Sequence, residues 1–286
     1  LIVDGVNVGA QSYWNAESTM MMHTKGVLIM TLDGAMVLTG KKALDFSGGV
    51  SAEDERGIGG AERIMGPNGQ AQFIVKDLGE AYNVLFECYR YTYRHPKENK
   101  TRHFSSKDPT HRSILTYPYQ DRKHPHFSTI GDIFSSEHNP DRKKPFGIRK
   151  VLQATIDQDS GYIERFSHLT DGESASVWFS HIGGIPVTLI GIESQPISRQ
   201  GRIPIDGPDV WTGGTLFPQS SRKVARAINA ASGIHPVVVL ANLSGFDGSP
   251  ESLRKLQLEY GAEIGRAVVN FTGPIIFVII GRYHGG

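Results

Sequence analysis

Two short apolar runs, one helix-length apart, constrain the fold of this chain most. Pro236 to Ala241 (PVVVLA) and Pro274 to Ile280 (PIIFVII) are rich in β-branched residues and bounded by turn residues. Both are predicted as buried strands, being short, continuously apolar and punctuated at each end. Ser249 to Phe271 is predicted as one long helix between them. Ser249 suits the N-cap, Pro250 the first helical position, and Glu251 the positive end of the helix. Leu253, Leu256, Tyr260, Ile264, Val268 and Phe271 recur at helical spacing, so their face is expected to be buried. Gly261 and Gly265 cost helix propensity and imply close packing against a neighbour. Strand, helix and strand form a βαβ unit of a parallel sheet, where ligands bind beyond the carboxyl ends of the strands. Two glycine loops fall there, Asn242–Gly248 and Gly281–Gly286.

Earlier in the chain, residues 1–94 are expected to form one α/β portion. Short strands are predicted near Leu1–Val3, Gly26–Met30, Ala35–Leu38 and Gln72–Val75, with a turn at Asp33–Gly34. Lys42–Phe46 is expected to be a short helix, and Asp77 to cap a helix running to Tyr93. The Ala81, Val84, Leu85, Cys88 and Tyr91 face of that helix points inward. Residues 95–144 are polar and contain prolines but show no sustained period, so a connection between domains is expected. The segment holds His124 and His126, but no cysteine and no helical histidine pair supports a zinc site. Residues 145–286 form a second portion. A hairpin is predicted across Gly183–Gly184, and a helix capped by Ser220 or Ser221 ends at Gly233.

Composition excludes several function classes. A net charge of +1 gives no electrostatic footprint for nucleic acid, and none is expected as a partner. Cys88 is the only cysteine, which rules out an internal disulfide or a thiolate metal cluster. No apolar run reaches the roughly 18 residues a membrane helix needs, and neither a signal peptide nor membrane contact is expected, so the expected location is cytoplasmic. The chain opens on Leu1 rather than Met and stops inside a glycine loop; an internal segment of a longer protein is expected.

No nucleophile elbow, phosphate-binding loop, dinucleotide fingerprint or zinc-protease motif occurs in the sequence. Ser12, Ser244 and Ser249 have no His and carboxylate at a recognisable spacing. Asp247 and Glu251 are expected to serve the loop and the helix cap. What remains is main-chain donors on two glycine turns, Val8-Gly9-Ala10 and Gly285-Gly286. Fixed N–H groups can stabilise an oxyanion without a titratable side chain.

The motifs taken together resemble the carboxyltransferase component of biotin-dependent acyl-CoA carboxylases. In the first portion the resemblance rests on Asn7-Val-Gly-Ala10, Val37-Leu-Thr-Gly40, and Gly59-Gly60 followed by Ile64-Met-Gly-Pro-Asn-Gly69. In the second it rests on Lys144-Pro-Phe-Gly-Ile-Arg149, Ala241-Asn-Leu-Ser-Gly-Phe-Asp-Gly248 and Arg282-Tyr-His-Gly-Gly286. It implies an α/β fold of two crotonase-like ββα-spiral portions, both incomplete. Residues 1–94 would be the end of a first carboxyltransferase domain, 95–144 a connection, and 145–286 the start of a second.

The resemblance also implies a reaction. Carboxybiotin gives up its carboxyl group, the biotin ureido nitrogen takes the α-proton of an acyl-CoA, and the resulting enolate is carboxylated. Val8 and Gly9 would donate to the thioester oxyanion, with Asn7 and Ala10 beside the substrate. Gly285, Gly286 and the residue after them would hold the ureido oxygen, and Gly245 and Phe246 would line the substrate. Biotin is thus the implied cofactor and a coenzyme A thioester the substrate. The implied partners are a biotin carboxyl carrier domain, a biotin carboxylase domain and a second copy in a homodimer or higher homo-oligomer. Ser244 and Asp4 stand where the family carries arginines, so the contacts those make to a malonyl carboxylate are not carried over. Two other readings fit the residues: a CoA-linked decarboxylase of the same superfamily, and a non-catalytic scaffold domain within a multienzyme chain.

Overall fold

The computed structural model describes residues 1–19, 25–123 and 125–284 of the chain, with the side chain of Thr19 excepted. The chain divides into two compact units. The first comprises Leu1–Tyr89 with Arg165–Thr170, and the second Arg90–Glu164 with the chain from Asp171 onward.

The first unit contains β1 (Ile2–Val3), β2 (Val6–Val8), α1 (Ala10–Thr19), β3 (Ile29–Thr31), β4 (Ala35–Val37), α2 (Lys41–Phe46), α3 (Glu55–Gly59), β5 (Phe73–Val75) and most of α4 (Leu78–Thr92). β1, β3 and β5 form a parallel sheet with β3 in the middle, and β2 pairs in parallel with β4. The core is Val3, Leu28, Met30, Met36, Ala61, Met65 and Ala71. The Asp33–Gly34 turn forms as expected, with the Gly34 amide donating to Thr31 at 2.9 Å. Asp77 caps α4, accepting from the Glu80 amide at 3.0 Å, and Ala81, Cys88 and Tyr91 are buried on its inner face. Gly59 and Gly60 are required by close packing: a Cβ on Gly59 would collide with the Met36 carbonyl, and one on Gly60 with the Arg56 carbonyl. Arg165 is buried and donates to Gln72 Oε1 at 2.5 and 3.0 Å. Burial pushes its pKa down to about 10.

The second unit contains α5 (Ile148–Thr155), β6 (Tyr162–Arg165), β7 (Ala175–Ile182), β8 (Ile185–Ile192), β9 (Ile197–Ser198), β10 (Val210–Trp211), β11 (Thr215–Leu216), α6 (Pro218–Ala231), β12 (Val237–Leu243), β13 (Gly245–Phe246), α7 (Pro250–Arg254), α8 (Gln257–Val269) and β14 (Ile275–Tyr283). Its main sheet has the order β14-β12-β8-β7-β6. β7 and β8 form the expected antiparallel hairpin, its turn made by Gly183 and Gly184 at φ 58° and 77°. β12 lies parallel to both β8 and β14. One face packs on α5 through Trp178, Leu189, Leu240, Val151 and Leu152. The other packs on α6 and α8 through Val177, Ile190, Val239, Val224, Ile228 and Ala267.

Three expectations are corrected here. The predicted helix from Ser249 to Phe271 is two helices, broken where Leu256 takes a left-handed φ of 67°. The break rotates the second segment. Gln257, Glu263 and Ala267 are therefore buried, while Leu253, Leu256 and Val268 are exposed. β14 is not a buried strand. It lies at the sheet edge, and Ile276, Phe277 and Ile279 are 51%, 46% and 51% exposed. Its apolar run marks strand formation correctly, but edge position decides burial. Finally, α6 begins at Pro218, and Ser220 reaches back to accept from the Phe217 amide at 2.8 Å.

Residues 95–144 lie in the second unit. Among the described residues of this segment there are single 3₁₀ turns at Ile114–Thr116, Ile130–Ile133 and Pro140–Arg142 and an isolated bridge between Pro118 and Thr129. Tyr119, Phe127, Ile130 and Ile133 belong to the core that includes Trp178 and Leu152. No helix among the described residues is long and apolar enough to cross a membrane.

Candidate active site

In the first unit the candidate residues gather at the carboxyl end of β2. Register pairs Val8 with Val37, and the chain turns into α1 through Gly9 at φ 66°. The Gly9 amide is committed, donating to the Val37 carbonyl at 2.9 Å. It is therefore not an open donor. Alternate amides of a strand face opposite edges, so the Val8 amide points away from β4. Among the described residues it makes no hydrogen bond. Ala10 and Gln11 begin α1, where the first amides have no intrahelical acceptor. Neither is bonded among the described residues. Open amides thus flank Gly9 on both sides.

This turn is braced from beneath. The buried Ser12 hydroxyl lies 3.0 Å from both the Asn7 and Val37 carbonyls. Asn15 Nδ2 donates to Asn7 Oδ1 at 3.1 Å, so Asn7 supports the turn through its side chain. Val8 is 48% exposed, leaving the donor edge accessible. Asp4 accepts from Thr31 Oγ1 at 2.7 Å.

In the second unit the loops at the carboxyl ends of β8, β12 and β14 are laced together by main-chain bonds. The Gly214 amide donates to the Glu193 carbonyl at 2.6 Å, and the Ser244 amide to the Gly214 carbonyl at 2.5 Å. Asn242 Oδ1 accepts the Arg282 amide at 2.9 Å, and the His284 amide donates to the Leu243 carbonyl at 2.9 Å. Gly281 lies so close to the Asn242 side chain that a Cβ could not be placed there. Gly245, at φ 140°, has open space where a Cβ would be. The Phe246 ring comes within 3.7 Å of where a Gly261 Cβ would sit. A Cβ would fit at Gly261 in ordinary contact and at Gly265 in open space, so the close packing expected of the two helix glycines is not found. Gly285 and Gly286 lie outside the described residues, as does His124 of the histidine pair. Among the described residues no group of three or more His, Cys, Asp or Glu could hold a metal ion.

Sequence reasoning passed over three charged groups. Glu193 is buried at the end of β8, where Oε1 accepts from the Ile148, Ser194 and Gln195 amides at 3.2, 2.8 and 3.2 Å. Burial raises its pKa against the pull of those bonds. It pins the amino end of α5 to the loop after β8. Lys223 is buried on α6, and burial pushes its pKa down to about 8, opposed by Glu164. Arg199 is buried between Asp171 and Glu251 and lies 4.4 Å from the Trp211 ring centroid. Each sits singly in a loop or on an apolar helix face, so no motif marks it.

The carboxyl transferase domain family profile matches residues 2–286. The chain is 33% identical over 119 residues to the acetyl-CoA carboxylase of Saccharomyces cerevisiae, covering 37% of the chain and 5% of that protein. It is 24% identical over 268 residues to the acetyl-CoA carboxylase of Dictyostelium discoideum, covering 86% of the chain and 11% of that protein. The chain therefore spans a small part of the curated relatives it matches. Among solved structures it resembles the hexameric transcarboxylase 12S with hydrolysed methylmalonyl-coenzyme A bound. The TM-score is 0.73 at 19% identity, over 97% of this chain and 46% of that one. The fold is accordingly α/β and crotonase-like, and the chain belongs to the carboxyl transferase domain family.

Proposed function

We propose that this chain supplies the carboxyltransferase step of a biotin-dependent carboxylase, moving a carboxyl group from carboxybiotin to the α-carbon of an acyl-CoA. The observation that carries the reading is the pair of open amides, Val8 and Ala10, flanking a Gly9 that is locked onto Val37. A thioester oxygen seated there would accept hydrogen bonds as negative charge builds on it in the enolate. Such donors are worth about 3–4 kcal/mol each. They need no protonation change, and their position is set by Ser12 and Asn7. Donor-only main-chain sites suit both acceptors in the reaction, the thioester oxygen and the biotin ureido oxygen. When bound, biotin supplies the carboxyl group and the basic nitrogen that takes the α-proton. For Gly285 and Gly286 we propose the ureido-oxygen role. The Asn242–Arg282 and Leu243–His284 bonds would aim the strand that leads to them. Gly245 and Phe246 would line the substrate side.

The names of the relatives support a coenzyme A thioester as substrate, and the hexameric neighbour supports a homo-oligomer. Carrier and carboxylase domains are the partners the chemistry requires. Residues 1–94 would close a first crotonase-like domain and residues 145–286 would open a second. The test is transfer of labelled carboxyl from carboxybiotin to acetyl-CoA or propionyl-CoA by the full-length protein that carries this chain. Label appearing in the acyl-CoA is expected. Release of label as carbon dioxide alone, whichever acyl-CoA is present, would sink the reading.

A further inference from the structure

At the opposite end of the second unit's sheet, where β8, β12 and β14 begin, lies a cavity of about 520 Å³. This is the size range of small-ligand pockets. One wall is made by the turns before β12 and β14, from Gly233 to Pro236 and from Thr272 to Pro274. The other is made by Ile185, Pro186 and the segment between Arg94 and His103.

Its electrostatics are one-sided. Arg94, Lys100 and His103 all line the cavity, and no carboxylate does. Among the described residues none of the three makes a hydrogen bond or ion pair. Their neighbour Arg102, by contrast, pairs with Glu98 at 3.3 Å and stands 5.1 Å from the Tyr93 ring centroid. Exposed cations usually find a carboxylate or disperse; Arg94 and Lys100, left unpaired around one cavity, form a focused positive field, with the His103 ring beside them as a further hydrogen-bonding group.

The walls are fixed beforehand. Thr101 Oγ1 donates to the Ile234 carbonyl at 2.6 Å. The Phe104 amide donates to Gly184 at 2.8 Å, and the Gly233 amide to Thr272 at 2.7 Å. Thr188 Oγ1 and His235 Nε2 meet at 2.7 Å behind them. Between these anchors, Ile185, Pro186, Ile234, Pro236 and Pro274 present an apolar surface.

We propose that this cavity binds a phosphate ester of nucleotide size. Its phosphates would lie on Arg94, Lys100 and His103, and its flat apolar body against the proline and isoleucine surface. The fork of Arg94 suits bidentate phosphate binding, and Lys100 adds a point charge. The glycine loops lie at the carboxyl ends of the same strands, so this site is separate from them and independent of the function proposed for them.

The test is titration calorimetry of the protein with ADP, adenosine and inorganic phosphate, repeated with an Arg94→Gln/Lys100→Gln variant. ADP should bind more tightly than either fragment, and its affinity should fall as salt rises from about 50 to 200 mM. The double variant should lose ADP affinity by roughly tenfold or more, with an unchanged melting temperature. Equal affinity for adenosine and ADP, no detectable ADP binding, or undiminished binding by the variant would overturn the proposal.

Discussion

Arg199 and Glu251 meet inside the second unit through two hydrogen bonds of 2.7 and 3.1 Å. Asp171 binds the other side of the same guanidinium at 2.8 and 3.0 Å, and Lys255 bridges the two carboxylates. Glu251 is thus not only a helix-terminal charge, as its position after Pro250 suggests, but a node in a buried network. Removing one member leaves the others uncompensated, which typically costs about 3–5 kcal/mol. Glu251→Ala is therefore expected to lower the melting temperature by several degrees. Differential scanning calorimetry checks this, and an unchanged transition would show that the network is not stabilising.

The same network sets an acid limit. Desolvation acts to raise the Glu251 pKa, but the hydrogen bonds from Arg199 and Lys255 outweigh it and hold the carboxyl below its usual range. Asp108, beside Arg112, is held low as well. Groups with depressed folded-state pKa values contribute stability that is fully present above the ordinary carboxylate range and is lost as pH falls through the folded values. Buried His181 is held below its usual pKa by desolvation and by Arg90, so stability should already soften as pH falls through the ordinary histidine range. Below about pH 4 the loss of the carboxylates should add a steeper drop in melting temperature, and a flat profile from about pH 5 to about pH 3 would contradict this account.

Lys223 predicts a slope of the same sign at the alkaline end. Burial holds its pKa at about 8, so between there and the unfolded value the unfolded chain binds more protons. Stability should rise with pH across that window. Lys223→Met should relieve a penalty of order 3 kcal/mol at neutral pH and raise the melting temperature. A lower melting temperature for this variant would mean that the ammonium is held by favourable contacts.

Cys88 should be inert in the folded protein. Burial, opposed by Arg165, pushes its thiol up to about 11. Iodoacetamide at neutral pH is expected to label it only after denaturant is added, as mass spectrometry would show. Rapid labelling of the native protein would refute the burial.

The hairpin at Gly183–Gly184, the strand beginning at Val237 and the α4 face through Ala81 and Cys88 were legible because local pattern and tertiary environment agree. The break at Leu256 was not. A half-exposed leucine in the left-handed region is against its propensity, and the residues around it read as continuous helix. The exposure of β14 depends on sheet order, which no single apolar run encodes. Helix α1 was missed because its weakly apolar face, with Trp14 and Tyr13 exposed, carries almost no period. At the candidate site the glycine turn was visible in Val8-Gly9-Ala10. Which amides stay open was not, because that depends on the register of β2 against β4.

The central claim is that Val8 and Ala10, held in place by Gly9, bind the thioester oxyanion. Gly9→Ala keeps ordinary space, with the nearest atom, the Leu38 oxygen, at 3.9 Å from the new Cβ, but forces an alanine to φ 66° at a cost of about 1–2 kcal/mol. Gly5→Ala imposes similar strain at φ 89°, also in open space, at the other end of β2. The decisive measurement is kcat for carboxyl transfer from carboxybiotin to acyl-CoA by the full-length protein and both variants, at equal folded concentration. Gly9→Ala should lose roughly 10²–10³ in kcat while Gly5→Ala stays near wild type. Equal activity of the two variants would contradict the assignment of the oxyanion site to this turn.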